Sequence, residues 1–190
     1  MVKAIIFDCF GVLIGKGFEY TYRLAGGDPV RDRMFIEHTL IKANLGLISD
    51  TDFRESMAHK VGITSDAWSK AVKNAELLNT DLLVYIEKLR DKYKTAILSN
   101  ANVGVLERKI GKDWLQKVFD EIVVSAEVGM AKPDPRIYRL VCENLGVEIN
   151  ECLYIDDRKS FIDEARQLGM EVLLYDNFVQ FKLNMNKLLS

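Results

Sequence analysis

The 190 residues are 48% apolar and 28% charged, with a formal net charge of −2. That balance is ordinary for a globular chain and excludes a disordered tail or a fibrous repeat. It also leaves no general basic field, so nucleic acid is not expected as a partner. No apolar stretch approaches the roughly 18 residues of a membrane span, so no membrane partner is expected. The opening Met1-Val2-Lys3-Ala4-Ile5-Ile6-Phe7-Asp8 has neither the long apolar core nor the small-residue cleavage site of a signal peptide. Cys9, Cys142 and Cys152 are odd in number and lack CxxC spacing, so they read as small buried hydrophobes rather than as disulfides or zinc ligands. A cytoplasmic location is the expectation.

In chain order, five short apolar runs read as buried strands: Lys3 to Phe7, Lys94 to Leu98, Glu121 to Ser125, Cys152 to Ile155 and Glu171 to Tyr175. Most are too continuous to alternate, which suits a parallel sheet covered on both faces. Helical patterns separate the last four, at Asp81 to Lys92, about Val103 to Val118, Pro135 to Leu145 and about Ser160 to Leu168. Gly146 and Gly169 fall where a helix C-terminus favours positive φ. The alternation predicts a doubly wound, Rossmann-like α/β sheet.

About 80 residues separate the first strand from the helix near Asp81, far too many for a structureless loop. Within them Val30 to Ala43, Asp50 to Val61 and Ser65 to Leu77 have helical spacing, and Ser49 with Asp52 resembles a capping box. Residues 15–80 therefore read as a small all-helical cap, with 1–14 and 81–190 forming the α/β core.

In an open α/β sheet the ligand site lies beyond the carboxyl ends of the strands. The first strand ends in Asp8, set between Ile5-Ile6-Phe7 and Cys9-Phe10, with Gly11 allowing the chain to turn away. An ionised carboxylate in such an apolar run is costly unless a cation or dense hydrogen bonding compensates it. The second strand ends in Ser99-Asn100, a hydroxyl and an amide. The third leads to Lys132, just ahead of Pro133-Asp134-Pro135 and a helix N-terminus that favours an anion. The fourth ends in Asp156-Asp157, adjacent carboxylates that repel unless something positive lies beside them. Mg²⁺ suits them, because it takes oxygen ligands from one or two carboxylates, water and phosphate.

The order of carboxylate, hydroxyl, lysine and acid pair resembles the haloacid dehalogenase-like hydrolase superfamily. The matching segments are Phe7-Asp8-Cys9-Phe10-Gly11-Val12-Leu13, Ile97-Leu98-Ser99-Asn100, Lys132-Pro133 with Ile137-Tyr138, and Tyr154-Ile155-Asp156-Asp157 running to Gly169. The resemblance is to the phosphatase-like branch with a helical cap after the first motif. It implies that Asp8 attacks phosphorus and forms an aspartyl-phosphate. It also implies Mg²⁺ held by Asp8, the main-chain carbonyl of Phe10, and Asp156 or Asp157. Ser99, Asn100 and Lys132 would hold the phosphate oxygens of a small phosphorylated metabolite. Both a monomer and a homodimer fit the sequence.

One position departs from that pattern. Most phosphatases of the superfamily carry an acid–base aspartate two residues after the nucleophile, where this chain has Phe10. Two further readings follow: a 2-haloacid dehalogenase in which Asp8 attacks carbon, and a catalytically weak phosphate-binding or interaction module. The paired acids at 156 and 157 favour phosphate over halide. Lys16, Tyr20, Tyr22, Arg23, Arg31 and Arg33 are candidates for contacting the rest of the substrate. His38 and His59 lack ligand spacing, and Trp68 and Trp114 read as packing anchors.

Overall fold

The structure, a computed structural model, describes residues 1–15 and 17–188. Its centre is the strand β1 (Ala4–Phe7), in which all four residues are buried. Alternation along it feeds two separate cores. Ile5 and Phe7 join one cluster, with Ile97, Leu153 and Phe181; Ala4 and Ile6 join the other, with Leu98, Tyr138 and Tyr154. A strand buried on both faces has no place for polar side chains along its length. That explains the unbroken Ala-Ile-Ile-Phe run.

Four more strands complete a parallel sheet among the described residues: β2 (Lys94–Ser99), β3 (Glu121–Val124), β4 (Cys152–Asp156) and β5 (Glu171–Leu174). Their order is β3-β2-β1-β4-β5. In register, Phe7 lies between Ile97 of β2 and Ile155 of β4. The chain crosses to β2 on one side of β1 and later to β4 on the other, so the crevice where ligands bind such sheets opens beyond Phe7. The expected α/β architecture is the one found.

Seven α-helices accompany the sheet among the described residues: α5 (Thr80–Leu89), α6 (Val105–Ile110), α7 (Lys112–Val118), α8 (Ser125–Val128), α9 (Pro135–Leu145), α10 (Lys159–Gln167) and α11 (Phe178–Leu188). α9 shows how local sequence sets the ends. Asp134 accepts a hydrogen bond from the Arg136 N–H, Pro135 occupies the first turn, and Gly146 closes the helix at φ 65°. The single helix expected from Val103 to Val118 is two, because Gly111 at φ 98° breaks it. α11 was not anticipated; Phe181 and Met185 on it are buried against the first core.

Between β1 and α5 lie α1 (Gly17–Leu24), α2 (Arg33–Asn44), α3 (Asp50–Val61) and α4 (Ser65–Ala75). The Ser49–Asp52 capping box is present. These helices have their own core of Tyr22, Ile36, Met57, Ala58 and Trp68, with Phe18 and Phe53 packed against it. The two ends of the segment meet: the Gly15 N–H donates to the Leu77 carbonyl at 2.8 Å, and Ile14 bridges antiparallel to Leu78. No helix is long and apolar enough to cross a membrane among the described residues.

Candidate active site

Asp8 follows the last residue of β1 and is 5% exposed. Its N–H continues the sheet by donating to the Ile155 carbonyl at 2.8 Å, which fixes where its side chain starts. Lys132 reaches it from the loop after α8. The lysine Nζ, wholly buried, donates to Asp8 Oδ1 at 2.6 Å, to Asp156 Oδ2 at 2.9 Å and to the Tyr154 hydroxyl at 3.0 Å. Asn100 holds this loop in place. Its Oδ1 accepts from the Lys132 N–H at 2.8 Å and its Nδ2 donates to the Lys132 carbonyl at 2.9 Å.

Asp156 ends β4 with no exposure and has both oxygens engaged. Oδ1 accepts from the Arg158 N–H at 2.8 Å, while Oδ2 takes Lys132 and the Tyr154 hydroxyl. Asp157, the next residue, turns toward the first loop, where its Cγ lies 2.5 Å from the place a Cβ on Gly11 would occupy. Gly11 therefore serves twice, taking φ 98° and leaving room for that carboxylate. One oxygen from each of Asp8, Asp156 and Asp157 lies within 4.8 Å of the others. Three carboxylates gather here beside the Lys132 ammonium. An all-oxygen donor set of this kind fits a hard divalent cation such as Mg²⁺.

The charges act on one another. Burial pushes the Asp8 carboxyl up to about 7; Lys132 works against the rise and Asp156 adds to it. Burial disfavours the ammonium of Lys132, but Asp8 and Asp156 outweigh it and hold its pKa above the ordinary lysine value. Cys9, fully buried beside Asp8, is raised by burial and then by the Asp8 charge, so it is a packed thiol and not a thiolate. Ser99 closes β2 with no exposure, and its Oγ has no hydrogen-bond partner. Phe10 packs against the first core cluster.

Asp8, Lys132, Asp156 and Asp157 thus converge, with Ser99 and Asn100 at the mouth of the neighbouring strand. The expected substrate contacts on the helical segment fare unevenly. Tyr22 is a correction: it has no exposure, and its hydroxyl donates to Asp32 at 3.0 Å inside the helical core. Arg31 pairs with the same aspartate and Arg33 with Glu37. Tyr20 and Arg23 are exposed, and Lys16 lies outside the described residues. The sequence reading missed Tyr154. Its signal was spacing, since it stands two residues before Asp156 on a strand and so shares that residue's face.

The motif order seen in the sequence is matched by a family profile. Residues 2–169 match that of the haloacid dehalogenase-like hydrolases. The chain belongs to this family.

Among its relatives, a phosphatase from Mycobacterium tuberculosis is 29% identical over 92% of this chain and 88% of its own. A D-ribitol-5-phosphate phosphatase from Bacteroides thetaiotaomicron is 24% identical over the full length of both. The fold resembles a crystal structure of a haloacid dehalogenase family enzyme from B. thetaiotaomicron, in complex with magnesium and inorganic phosphate. The TM-score is 0.73 at 23% identity, covering 95% of this chain and 99% of the other.

Proposed function

We propose that this hydrolase is a Mg²⁺-dependent phosphatase of a small phosphorylated metabolite, working through an aspartyl-phosphate at Asp8. The observation that carries the reading is the meeting of Asp8, Asp156 and Asp157 within 4.8 Å beside the buried Lys132. The phosphatases among its relatives, and the magnesium and phosphate bound in a fold neighbour, support it. Residues 15–80 are read as the cap that covers the site, and 1–14 with 81–190 as the catalytic core.

Asp8 and the Phe10 carbonyl would hold the metal together with Asp157. Asp156, its oxygens already taken by the Arg158 N–H, Lys132 and Tyr154, stands behind them as the partner of Lys132. Bound Mg²⁺ supplies positive charge between an anionic carboxylate and an anionic phosphoryl group. The remaining work falls to the side chains. Lys132 and the Ser99 hydroxyl hold phosphoryl oxygens, and Asn100 keeps Lys132 in place while offering its main chain to the anion. An Asp8 oxygen attacks phosphorus, and the bond to the leaving oxygen breaks. Water then attacks the same phosphorus, phosphate departs, and the Asp8 carboxylate is restored. Phe10 gives no proton, so the leaving oxygen is protonated by solvent or by the substrate's own groups, and phosphates with stable leaving groups react fastest.

The test is phosphate release from an aryl phosphate. Release should require Mg²⁺, stop with EDTA, and fall by at least about 10³-fold in Asp8→Asn, as expected when the nucleophile is lost. Metal-independent halide release from 2-chloropropionate with no phosphate release would replace this reading with the dehalogenase one.

A further inference from the structure

Lys132 has three ammonium protons and three buried acceptors, and Tyr154 is the one to which the motifs give no role. The geometry fixes the direction of every bond in this triangle. A tyrosine hydroxyl has one proton, and Tyr154 gives it to Asp156 Oδ2, which can only accept. Toward Lys132 the same oxygen must therefore accept, as its 3.0 Å separation from Nζ allows. The ring is held as firmly as the hydroxyl. Tyr154 has no exposure, and Tyr138 meets it edge-on at 5.3 Å between centroids. The Lys132 ammonium also lies 5.0 Å from the centre of the Phe161 ring, which closes its remaining side.

A lysine stem is flexible, and an ammonium has no preferred direction of its own. Two fixed acceptors, Asp156 Oδ2 and the Tyr154 oxygen, take two of its protons. The third then points at Asp8 Oδ1, 2.6 Å away. We propose that Tyr154 is a positioning residue for phosphoryl transfer: its hydroxyl and Asp156 seat Lys132 so that the third N–H is aimed at Asp8 and the phosphoryl oxygen beside it. This rests on the phosphatase reading of the site. Phenylalanine would fill the ring's space equally well, so the hydroxyl is the part with a task.

Tyr154→Phe isolates that hydroxyl. Its kcat for aryl phosphate hydrolysis is expected to fall at least about tenfold, the scale of one hydrogen bond to a charged group. KM and the calorimetric Mg²⁺ affinity of the protein should stay within about twofold. Tyr85→Phe, on α5 and packed edge-on to Phe181 in the other core cluster, removes a hydroxyl remote from the triangle and should keep the parent kcat. A second readout needs no turnover. The ¹H–¹⁵N signal of the Lys132 ammonium, assigned by its loss in Lys132→Met, should be visible in the parent protein and broadened away in Tyr154→Phe.

An unchanged kcat, a loss carried by KM, an equal loss in Tyr85→Phe, or a persistent ammonium signal in Tyr154→Phe would each overturn the proposal. If the parent protein releases no phosphate at all, the phosphatase reading fails. The ammonium signal then still decides whether Tyr154 seats the lysine.

Discussion

Ser99 illustrates how a side chain in this fold is kept at a loss to stability. Its hydroxyl is fully buried without a partner, an arrangement that costs about 1–3 kcal/mol. Ser99→Ala is therefore expected to unfold at equal or higher denaturant concentration than the parent while releasing phosphate at least about tenfold more slowly. Denaturant melts and the phosphate assay, run on the same preparation, check both halves. A less stable variant with an unaltered rate would assign the hydroxyl to packing. At this scale much of the site is legible in sequence. Asp8, Ser99 and Asp156 each end an apolar run, and a polar residue there has to be explained. Tyr154 was not legible, because a tyrosine inside a buried strand looks like any other large filler until its hydroxyl has somewhere to point. Tyr22 misled for the opposite reason: an aromatic with a polar tip, among arginines, looks like surface. The charge that satisfies it, Asp32, is ten residues away.

At the level of elements, the long apolar strands and well-capped helices could be read off, and the short glycine-flanked pieces could not. α1 lies between Gly15 and Gly26, with Gly17 opening it, so its helical period is too brief to register against residues that favour turns. The stretch from Val103 to Val118 keeps its apolar period across Gly111, and only the backbone conformation reveals the break. Within the helical segment, Asp32 is the electrostatic tie. It accepts from Arg31 Nε at 3.1 Å and from the Tyr22 hydroxyl at 3.0 Å, and it pairs with Lys60 at 3.3 Å. The Arg31 hydrogen bonds come first, with those from Tyr22 and Lys60 after them, and together they hold the Asp32 carboxyl well below its usual range. A carboxyl depressed in the folded state adds stability above its unfolded value of roughly 4, and that stability fades as pH falls toward the folded one. Asp32→Asn should accordingly melt earlier than the parent at neutral pH, and the gap should narrow below about pH 4. Thermal melts across an acid series would show it; a constant gap would mean that the loss is steric.

On the scale of the whole molecule, the question is how the helical segment is fastened to the sheet. Asn102, just beyond β2 and 8% exposed, has its side-chain amide against the carbonyls of Ala43 and Ile48, 2.9 and 3.0 Å away; two acceptors there require the amide nitrogen on that side, so the nitrogen is assigned to it. From α6, Arg108 pairs with Asp50 at 2.9 Å, and Lys109 pairs with Glu76. These contacts differ in weight. Removing a buried amide deprives the Ile48 carbonyl of its donor, at about 1–3 kcal/mol, while the Ala43 carbonyl keeps the Gly46 N–H; an exposed ion pair such as Arg108–Asp50 contributes less than about 1 kcal/mol. Asn102→Ala should speed proteolysis within residues 17–75 several-fold, and Arg108→Ala should scarcely alter it. Equal sensitivity of the two would place the fastening in the ion pairs. Because Gly15 bonds to Leu77 and Ile14 bridges to Leu78, the segment leaves and re-enters the sheet domain through one narrow doorway. A lineage can lengthen, shorten or exchange everything beyond that doorway without moving the strand that carries Asp8. In such a chain, novelty accumulates on one side of two residue pairs while the chemistry is inherited intact on the other.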